Sequence, residues 1–363
     1  MASHLCPARR GAKSTTRLCT QMSKSEFVVV GDLHYDGMNS IIPLEKRVHA
    51  VDNVMKQVQD YCMDNHIDTI IQVGDVCNSP SPSFLSYLSL LKVFNSKFKY
   101  HMIIGNHDYR DVNYNSLSAF SAMTRLGMIP NCKFYSKPAK QEIDGVRAIF
   151  LPWPYEKTPE EHRPSVIFGH FPAGNYMVDN NSVRKAEKID LQNHFWILGD
   201  IHFPQHGKNF VYVGSALQAN FGEKPNKRFL HVRVQQTETT NRVSFKSIKI
   251  NLPIKLITVD ADNVGDLGFL KSVKENEYVR IRGSSEIVAA GSKISIDNPN
   301  VVVVPKAKQT ATHAIEGKVD LGIDHIKILV SHLKNVGLDR DQIRRAVQLV
   351  KAAGGDAWIT QRN

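Results

Sequence analysis

Five short segments that end in metal-binding side chains constrain this chain of 363 residues more than any other feature. Each segment follows an apolar run rich in β-branched residues, and such runs predict buried strands. Side chains at the carboxyl ends of neighbouring strands meet at one edge of a sheet, where ligands bind. The sequence therefore predicts a site for two divalent metal ions. The segments are Gly31-Asp32-Leu33-His34, Gly74-Asp75, Gly105-Asn106-His107-Asp108, Gly169-His170 and Gly199-Asp200-Ile201-His202.

Helical periodicity separates the first strands. Apolar residues recur at helical spacing over residues 48–62 and 84–94, which predicts crossover helices and a parallel sheet. Asp144-Gly145 lies between two short apolar segments and is typical of a tight hairpin. Further strands are predicted at 210–213, 229–234 and 243–250, so the fold class is mixed α/β.

Four regions are predicted along the chain. Residues 1–22 are a disordered basic extension, and 23–252 are the α/β core. Residues 253–306 are a smaller α/β unit, with strands near 254–259, 278–282 and 301–304 and a helix near 264–273. Residues 307–363 are a linker followed by two amphipathic helices. Those helices fit a module that docks another protein, and a DNA-binding helix-turn-helix is the alternative.

Composition excludes some classes of protein and favours others. The net charge of +11 favours a polyanionic partner. Residues 1–21 contribute four basic and no acidic side chains, so this segment is either an inert extension before Met22 or a targeting segment. The five cysteines have no CxxC spacing and indicate reduced thiols in a cytosolic protein. No apolar run is long enough to span a membrane.

The residue types at the five strand ends suit two metal ions. Carboxylate, imidazole and amide oxygen are ligands for ions such as Mn²⁺. Asp75 stands alone early in the series and suits the position that bridges both ions. Asp32 and His34 flank one residue, so both point into one pocket. Asn106 offers a neutral oxygen, which leaves His107 free to contact a phosphate or to protonate a leaving group.

In this order, the five segments resemble the motifs of the calcineurin-like metallophosphoesterases. Within that superfamily the chain looks most like the SbcD-type DNA nuclease subunits of the meiotic-recombination family, of phage or prokaryotic type. Tyr212-Val213-Gly214-Ser215 and Phe221-Gly222-Glu223 resemble a late core segment of that branch. The resemblance implies a β-sandwich core flanked by helices, a small α/β capping domain and a C-terminal helical pair that holds an SbcC-type, SMC-like ATPase.

The resemblance also assigns roles to the site residues. It implies a first metal held by Asp32, His34, Asp75 and His202, and a second held by Asp75, Asn106, His170 and Asp200, with His107 as the catalytic histidine. Many relatives have histidine where this chain has Asp200. A carboxylate is a harder ligand than imidazole, so both ions are expected to remain, with Mn²⁺ preferred and Mg²⁺ as the alternative.

The implied function is Mn²⁺-dependent exonuclease or endonuclease activity on DNA phosphodiester bonds, in recombination, repair or replication. The resemblance further implies a homodimer, with the predicted helix at 115–125 as one candidate surface, in the cytoplasm of a prokaryotic or phage-infected cell. Duplex ends or single-stranded DNA would be held through phosphates, which carry little sequence information. The candidate contacts are two basic clusters, Arg184-Lys185-Lys188 and Lys224-Lys227-Arg228.

Two other functions fit parts of the same pattern. The first is a metallophosphoesterase that acts on phosphoproteins or nucleotides, because the metal site alone does not select the substrate. A capping domain and a docking tail favour DNA over this alternative. The second is a non-catalytic scaffold that recruits an ATPase to DNA ends. Scaffolds of this kind usually lose metal ligands, whereas the one altered position here, Asp200, still offers a ligand.

Overall fold

A computed structural model of the chain describes residues 22–37, 40–94, 96–111, 114–129, 131–154, 161–173, 175–177, 183–185, 194–261, 268–284 and 298–305, together with Arg340 and Arg344. Met1–Lys306 form one compact unit and Ala307–Asn363 a second. Arg340 and Arg344 are helical, and the rest of the predicted C-terminal helical pair lies outside the described residues. The predicted extension, apart from Met22, also lies outside them.

The helices are α1 (Leu44–Asp64), α2 (Phe84–Phe94) and α3 (Ser118–Arg125), and Gly268–Ser272 form a short 3-10 helix. The strands are β1 (Ser23–Val30), β2 (Thr69–Val73), β3 (Lys99–Ile103), β4 (Cys132–Tyr135), β5 (Ala139–Ile143), β6 (Val146–Leu151), β7 (Ser165–His170), β8 (Asn175–Met177), β9 (Val183–Lys185), β10 (His194–Gly199), β11 (Gln205–His206), β12 (Phe210–Tyr212), β13 (Arg228–Gln236), β14 (Asn241–Lys249), β15 (Lys255–Asp260), β16 (Glu277–Gly283) and β17 (Val301–Pro305). Among the described residues, no helix combines the length and apolar character needed to cross a membrane.

Two six-stranded sheets form the core. The first has the order β14-β13-β1-β2-β3-β4 and the second β11-β12-β10-β7-β6-β5. Strands β1 to β4 run parallel to one another, as do β6, β7, β10 and β12. The mixed α/β sandwich is confirmed, but the inference that all five motif strands share the edge of one sheet is wrong. Three of them lie in the first sheet and two in the second.

Alternation along β1 shows how the layers are held together. Phe27 and Val29 face the second sheet, whereas Val28 and Val30 face the helices. Between the sheets, the ring of Phe168 lies 5.6 Å from that of Phe27 and 5.1 Å from that of Phe150, measured between centroids. Both faces of β1 are buried from Phe27 to Val30, so this half of the strand is a continuous apolar run.

The local predictions for helix α1 and for the hairpin are confirmed. Val48, Val51 and Val58 pack from α1 against the first sheet, as their helical spacing predicts. Asp144 and Gly145 have φ angles of 49° and 80° and join β5 to β6. Both angles lie in the left-handed region that a two-residue hairpin turn requires.

A separate parallel sheet, β15-β16-β17, follows the core. Its strands match the three that the sequence predicts, whereas 264–267 of the predicted helix lie outside the described residues. Two polar contacts join this sheet to the core. Gln218 exchanges hydrogen bonds with the backbone of Leu256, and Thr258 Oγ1 donates to the Phe221 carbonyl at 2.8 Å.

Candidate metal centre

The seven predicted metal ligands lie together at the carboxyl ends of strands from both sheets. Strands β1, β2 and β3 bring residues from the first sheet, and β7 and β10 bring residues from the second. The sandwich therefore builds the site across its two sheets, at the end where parallel strands stop. These ligand positions are Asp32, His34, Asp75, Asn106, His170, Asp200 and His202.

The backbone adopts rare conformations at three of these positions. The φ angles are 49° at His34, 52° at Asp75 and 74° at Asp200, all in the left-handed region that side-chain-bearing residues seldom occupy. Hydrogen bonds between the loops offset part of the free-energy cost of these conformations. The N–H groups of Leu33 and His34 both donate to the Asp75 carbonyl at 3.0 Å. Such conformations persist where surrounding contacts fix them, and they cluster at functional sites.

Glycines in the motifs make room for the close approach of the loops. A Cβ atom at Gly105 would lie 2.1 Å from Oδ1 of Asp75. One at Gly74, whose φ is +92°, would lie 2.1 Å from Nδ1 of His170. A residue larger than glycine at Gly105 would displace Asp75, and one at Gly74 would displace His170. The site therefore requires glycine at both positions.

One group of side chains consists of Asp32, His34 and His202, whose candidate ligand atoms all lie within 4.8 Å of one another. The Nε2 atoms of His34 and His202 are 3.0 Å apart. Oδ2 of Asp32 lies 3.7 Å from Nε2 of His202. This oxygen is buried and has no hydrogen-bond partner, which is costly for a carboxylate unless an ion satisfies it.

A second group consists of Asp32, Asp75 and His170, again within 4.8 Å. Nδ1 of His170 hydrogen-bonds the Val73 carbonyl at 2.8 Å, so Nε2 is the ring nitrogen that faces the second group. That Nε2 lies 3.4 Å from Oδ1 of Asp75, while Oδ2 of Asp75 lies 3.6 Å from Nε2 of His34. Asp75 thus faces both groups with different oxygens. Asp32 is nearer to the occupied Nδ1 of His170, at 3.5 Å.

Asn106 and Asp200 complete the second group. Oδ1 of Asn106 lies 3.0 Å from Nε2 of His170, and Oδ1 of Asp200 lies 3.9 Å from the same nitrogen. The backbone N–H of Asp200 donates to Oδ1 of Asp32 at 3.2 Å, which ties the β10 loop to the β1 loop. The carboxylate of Asp200 thus lies beside the second group, where the sequence predicts a ligand.

His107 lies beside the two groups and is exposed, unlike the buried His34 and His170. Its ring stands edge-on to that of His34, with 4.9 Å between centroids. Its backbone N–H donates to Oδ1 of Asp75 at 2.9 Å, and its Nδ1 lies 3.3 Å from the Asn78 carbonyl. The second ring nitrogen is therefore available to a bound substrate.

Opposite charges in the site shift several pKa values. Burial alone would raise the pKa of Asp75, but the neighbouring His170, His34 and His107 outweigh it and hold that pKa below its usual value. Burial likewise opposes the charge on His170, but Asp75, Asp32 and Asp200 raise its pKa. In His34, burial dominates and lowers the pKa to about 3. The site thus combines a charged Asp75–His170 pair with a neutral His34, which is ready to donate an electron pair.

Two further residues stabilise the site, and the sequence motifs do not assign them this role. The first, Asp108, is buried and accepts hydrogen bonds from the N–H groups of Val76, Cys77 and Gly105 at 2.8–3.0 Å, and from the Ser116 hydroxyl at 2.6 Å. Its place in the third motif segment is the only sequence signal. Asp108 is therefore a backbone clamp between the loops after β2 and β3.

The second is Glu223, whose Oε1 accepts a hydrogen bond from Nδ1 of His202 at 2.8 Å. Burial raises the pKa of Glu223, but His202 and Lys227 outweigh it and lower that pKa to about 2. The resemblance of Phe221-Gly222-Glu223 to a family segment marked the region without indicating this contact. Twenty-one residues separate the two partners, so no local pattern predicts their pairing.

The six predicted DNA contacts differ in what the structure shows of their side chains. Lys227 is 2% exposed and its ammonium group binds Glu223 and Ser215, so its prediction as a DNA contact is wrong. Arg228 donates to the carbonyls of Tyr212 and Val213 and to Ser247, so its guanidinium is engaged within the protein. Lys224 is exposed and stays a prediction. Arg184 and Lys185 are described only as backbone of β9, and Lys188 lies outside the described residues.

Part of this chain matches a known protein family. Residues 25–204 match the calcineurin-like phosphoesterase family. Exonuclease subunit 1 of Enterobacteria phage T4 is 25% identical over 202 residues, which cover 51% of this chain and 58% of that protein. The match thus spans little more than half of the length of this relative.

Solved structures that this chain matches include calcineurin-like phosphoesterase YfkN from Bacillus subtilis (TM-score 0.33, 11% identity, 62% of this chain and 91% of that chain). A dimetal phosphatase from Danio rerio has a TM-score of 0.35 at 11% identity and covers 60% of this chain and 98% of its own. A putative 5'-nucleotidase from Staphylococcus aureus has a TM-score of 0.36 at 14% identity, with coverage of 68% and 56%.

Proposed function

We propose that this chain, whose residues 25–204 match the calcineurin-like phosphoesterase family, is the nuclease subunit of a DNA-processing complex. The observation that carries the proposal is the convergence of seven ligand-type side chains from both sheets. The similarity to a phage exonuclease subunit supports DNA as the substrate. The activity of the whole protein, its substrate and its partners are all part of what we propose.

The donor set fits two divalent ions. Asp32, His34, Asp75 and His202 would hold the first, and Asp75, Asn106, His170 and Asp200 the second, with the two oxygens of Asp75 facing the two groups. The unpartnered buried Oδ2 of Asp32 is the atom that an ion would satisfy. Carboxylates and an amide oxygen favour Mn²⁺, with Mg²⁺ as the alternative. Two such ions supply an activated water near neutral pH and neutralise the charge of the phosphate.

The residues of the chain add orientation and proton transfer. His107 is exposed beside His34, and its Nδ1 contacts the Asn78 carbonyl, so Nε2 faces the space that a substrate enters. From there a ring that is protonated on both nitrogens would donate a hydrogen bond to a phosphate oxygen or a proton to the leaving oxygen. The hydrogen bond from its backbone N–H to Asp75 fixes this placement relative to the metal ligands.

DNA would be held through its phosphates. The net charge of +11 supports a polyanionic ligand, and the exposed Lys224 directly follows Glu223, the hydrogen-bond partner of His202. Arg184, Lys185 and Lys188 complete the proposed set. Charge reversal at these four positions should flatten the salt dependence of DNA binding, because each lost phosphate contact lowers the slope by about 1. An unchanged slope would remove them from the proposal.

An SbcC-type ATPase and a second copy of the chain are the proposed protein partners. The ATPase would be held by the region 307–363. The turn after α3 presents apolar side chains that suit a homodimer contact, since Leu126 is 76% exposed and Met128 64%. Sedimentation of the wild-type chain and of a Leu126→Glu, Met128→Glu variant tests this contact. A variant that sediments like the wild type would contradict it.

The experiment that tests the function is digestion of linear duplex DNA by the full chain with Mn²⁺, with and without the matching ATPase. Release of nucleotides or fragments that depends on Mn²⁺ is the expected result. Hydrolysis of p-nitrophenyl phosphate without any cleavage of DNA would favour a phosphoprotein or nucleotide substrate. A His107→Ala variant that cleaves DNA like the wild type would contradict the role of His107.

A further inference from the structure

A buried charge network stands behind His202, on the side opposite the metal groups. Oε1 of Glu223 accepts a hydrogen bond from Nδ1 of His202 at 2.8 Å and one from Nδ2 of Asn220 at 3.2 Å. Oε2 accepts from Nζ of Lys227 at 2.5 Å, and from the Ser215 hydroxyl and the Ala219 N–H at 3.2 Å. Both carboxylate oxygens are thus held in place by several donors.

Lys227 fixes the charge state of this carboxylate. The side chain of Lys227 is 2% exposed, and its ammonium group contacts Glu223 and, at 2.6 Å, the Ser215 hydroxyl. A buried ammonium is costly without a counter-charge, so the pair favours an ionised Glu223. An ionised carboxylate is a pure acceptor, and Nδ1 of His202 must therefore carry the hydrogen.

The position of that hydrogen determines whether Nε2 of His202 carries a free electron pair. With Nδ1 donating to Glu223, the neutral ring of His202 has its electron pair on Nε2. This atom lies 3.0 Å from Nε2 of His34 and 3.7 Å from Oδ2 of Asp32. The electron pair therefore points into the first metal group.

The loop that carries Glu223 is itself anchored. Gln218 exchanges two hydrogen bonds of 3.0 Å with the backbone of Leu256 in β15, and its Nε2 also donates to the Glu223 carbonyl at 2.7 Å. The guanidinium of Arg280 lies 5.2 Å from the centre of the Phe221 ring. The smaller sheet thus holds the segment 215–227 against the core.

We infer that Glu223 is a positioning residue, which fixes the ring of His202 so that Nε2 serves as a metal ligand. Carboxylates that accept from the second nitrogen of a ligand histidine orient the ring and make it more basic, and their loss costs about 10–100-fold in metal affinity. His170 has the same arrangement with a neutral partner, the Val73 carbonyl. The inference rests on the proposed metal centre.

The first test reads the hydrogen position directly, without metal. In long-range ¹H–¹⁵N spectra of the metal-free full chain, at a pH where the ring is neutral, His202 should carry its proton on Nδ1. A His202→Gln variant assigns the signal. Glu223→Ala should mix the two tautomers, and Glu223→Gln, which keeps an oxygen acceptor, should retain the wild-type form. A wild-type ring protonated on Nε2 would overturn the inference.

The second test measures Mn²⁺ binding by the loss of the free-ion signal in electron paramagnetic resonance. Glu223→Ala should weaken one of two sites about 10–100-fold and leave the other unchanged, with a smaller loss for Glu223→Gln. The matched control is Glu26→Ala, because Glu26 binds the buried His231 at 2.9 Å outside the metal groups. This control should bind Mn²⁺ like the wild type.

The outcomes separate this inference from the proposed function. Wild-type affinity at both sites in a folded Glu223→Ala variant would overturn the positioning role while leaving the metal centre intact. Equal losses in Glu26→Ala and Glu223→Ala would overturn it too, because the effect would then be general destabilisation. A wild-type chain that binds no Mn²⁺ would contradict the metal centre, and the tautomer measurement would still decide the role of Glu223.

Discussion

Oδ1 of Asp75 lies 3.4 Å from Nε2 of His170, so the end of β2 in one sheet meets the end of β7 in the other. The side chain of His170 is fully buried, and that of Asp75 is nearly so. It joins the two halves of the sandwich at the point where the proposed ions bind. Binding of an ion there would require His170 to release its proton, because a metal ligand must be deprotonated.

Replacement of Asp75 should abolish the proposed chemistry while the fold remains. Asp75→Asn keeps an oxygen acceptor for the His107 N–H but removes the negative charge that faces both groups. We expect loss of tight Mn²⁺ binding and at least a roughly hundredfold fall in phosphodiester hydrolysis. Titration with Mn²⁺ and DNA digestion measure the two effects. Asp60→Asn, which alters an exposed ion pair with Lys56 on α1, is the control and should match the wild type. Full DNA digestion by Asp75→Asn would contradict the role of Asp75 in catalysis.

Asp200 should decide the occupancy of the second ion. Asp200→Ala is expected to leave one ion bound, whereas Asp200→His should keep two and shift the preference away from Mg²⁺ towards Zn²⁺, since imidazole is the softer ligand. Anomalous scattering from crystals soaked in Mn²⁺ counts the ions. One occupied site in the wild type, or two in Asp200→Ala, would contradict the assigned role of Asp200.

Asp108 should matter for stability. Asp108→Ala leaves three buried N–H groups without their acceptor, each worth about 1–3 kcal/mol, so we expect a loss of at least about 3 kcal/mol in the free energy of unfolding. Asp108→Asn, which keeps one oxygen, should lose less. Urea denaturation of the metal-free protein measures both. Equal stability of the alanine variant and the wild type would show that the clamp is not needed.

His101 should make the fold sensitive to acid. It lies in a stack with Tyr135 and Phe150, and burial lowers its pKa to about 4 from 6.5. The unfolded chain therefore binds a proton first, so this contribution to stability is complete above pH 6.5 and is lost as the pH falls towards 4. At pH 5 the loss is about 2 kcal/mol.

The matched variant is His101→Phe, which keeps an aromatic ring in the stack and cannot take up a proton. The difference in unfolding free energy between pH 8 and pH 5 should be about 2 kcal/mol smaller in this variant than in the wild type. The same pH dependence in both proteins would rule out His101 as a source of acid sensitivity.

Much of the site could be predicted because its signals are local. A β-branched run followed by Gly-Asp or Gly-His marks a strand end within one stretch of chain, and all seven predicted ligands lie together. The division of the strands between two sheets was not visible, because strand pairing joins residues far apart in sequence. Nothing near β7 or β10 in the sequence indicates that they pair with each other and not with β3.

Contacts between distant side chains account for the other differences. The cluster Lys224-Lys227-Arg228 has the composition of a surface patch, but Lys227 points inward because Glu223 provides a buried counter-charge. The same carboxylate reaches His202 across a loop that no periodicity describes. The sequence thus shows that this segment is basic, but it does not show which of its cationic side chains face the solvent.

Digestion of end-labelled linear duplex DNA by the wild-type chain, with Mn²⁺ and then with a chelator, is the most direct test of the proposed nuclease activity. We expect cleavage with Mn²⁺, none with the chelator, and none by Asp75→Asn under either condition. A wild-type chain that binds two Mn²⁺ ions and hydrolyses p-nitrophenyl phosphate, yet leaves DNA intact both alone and with its ATPase, would contradict it.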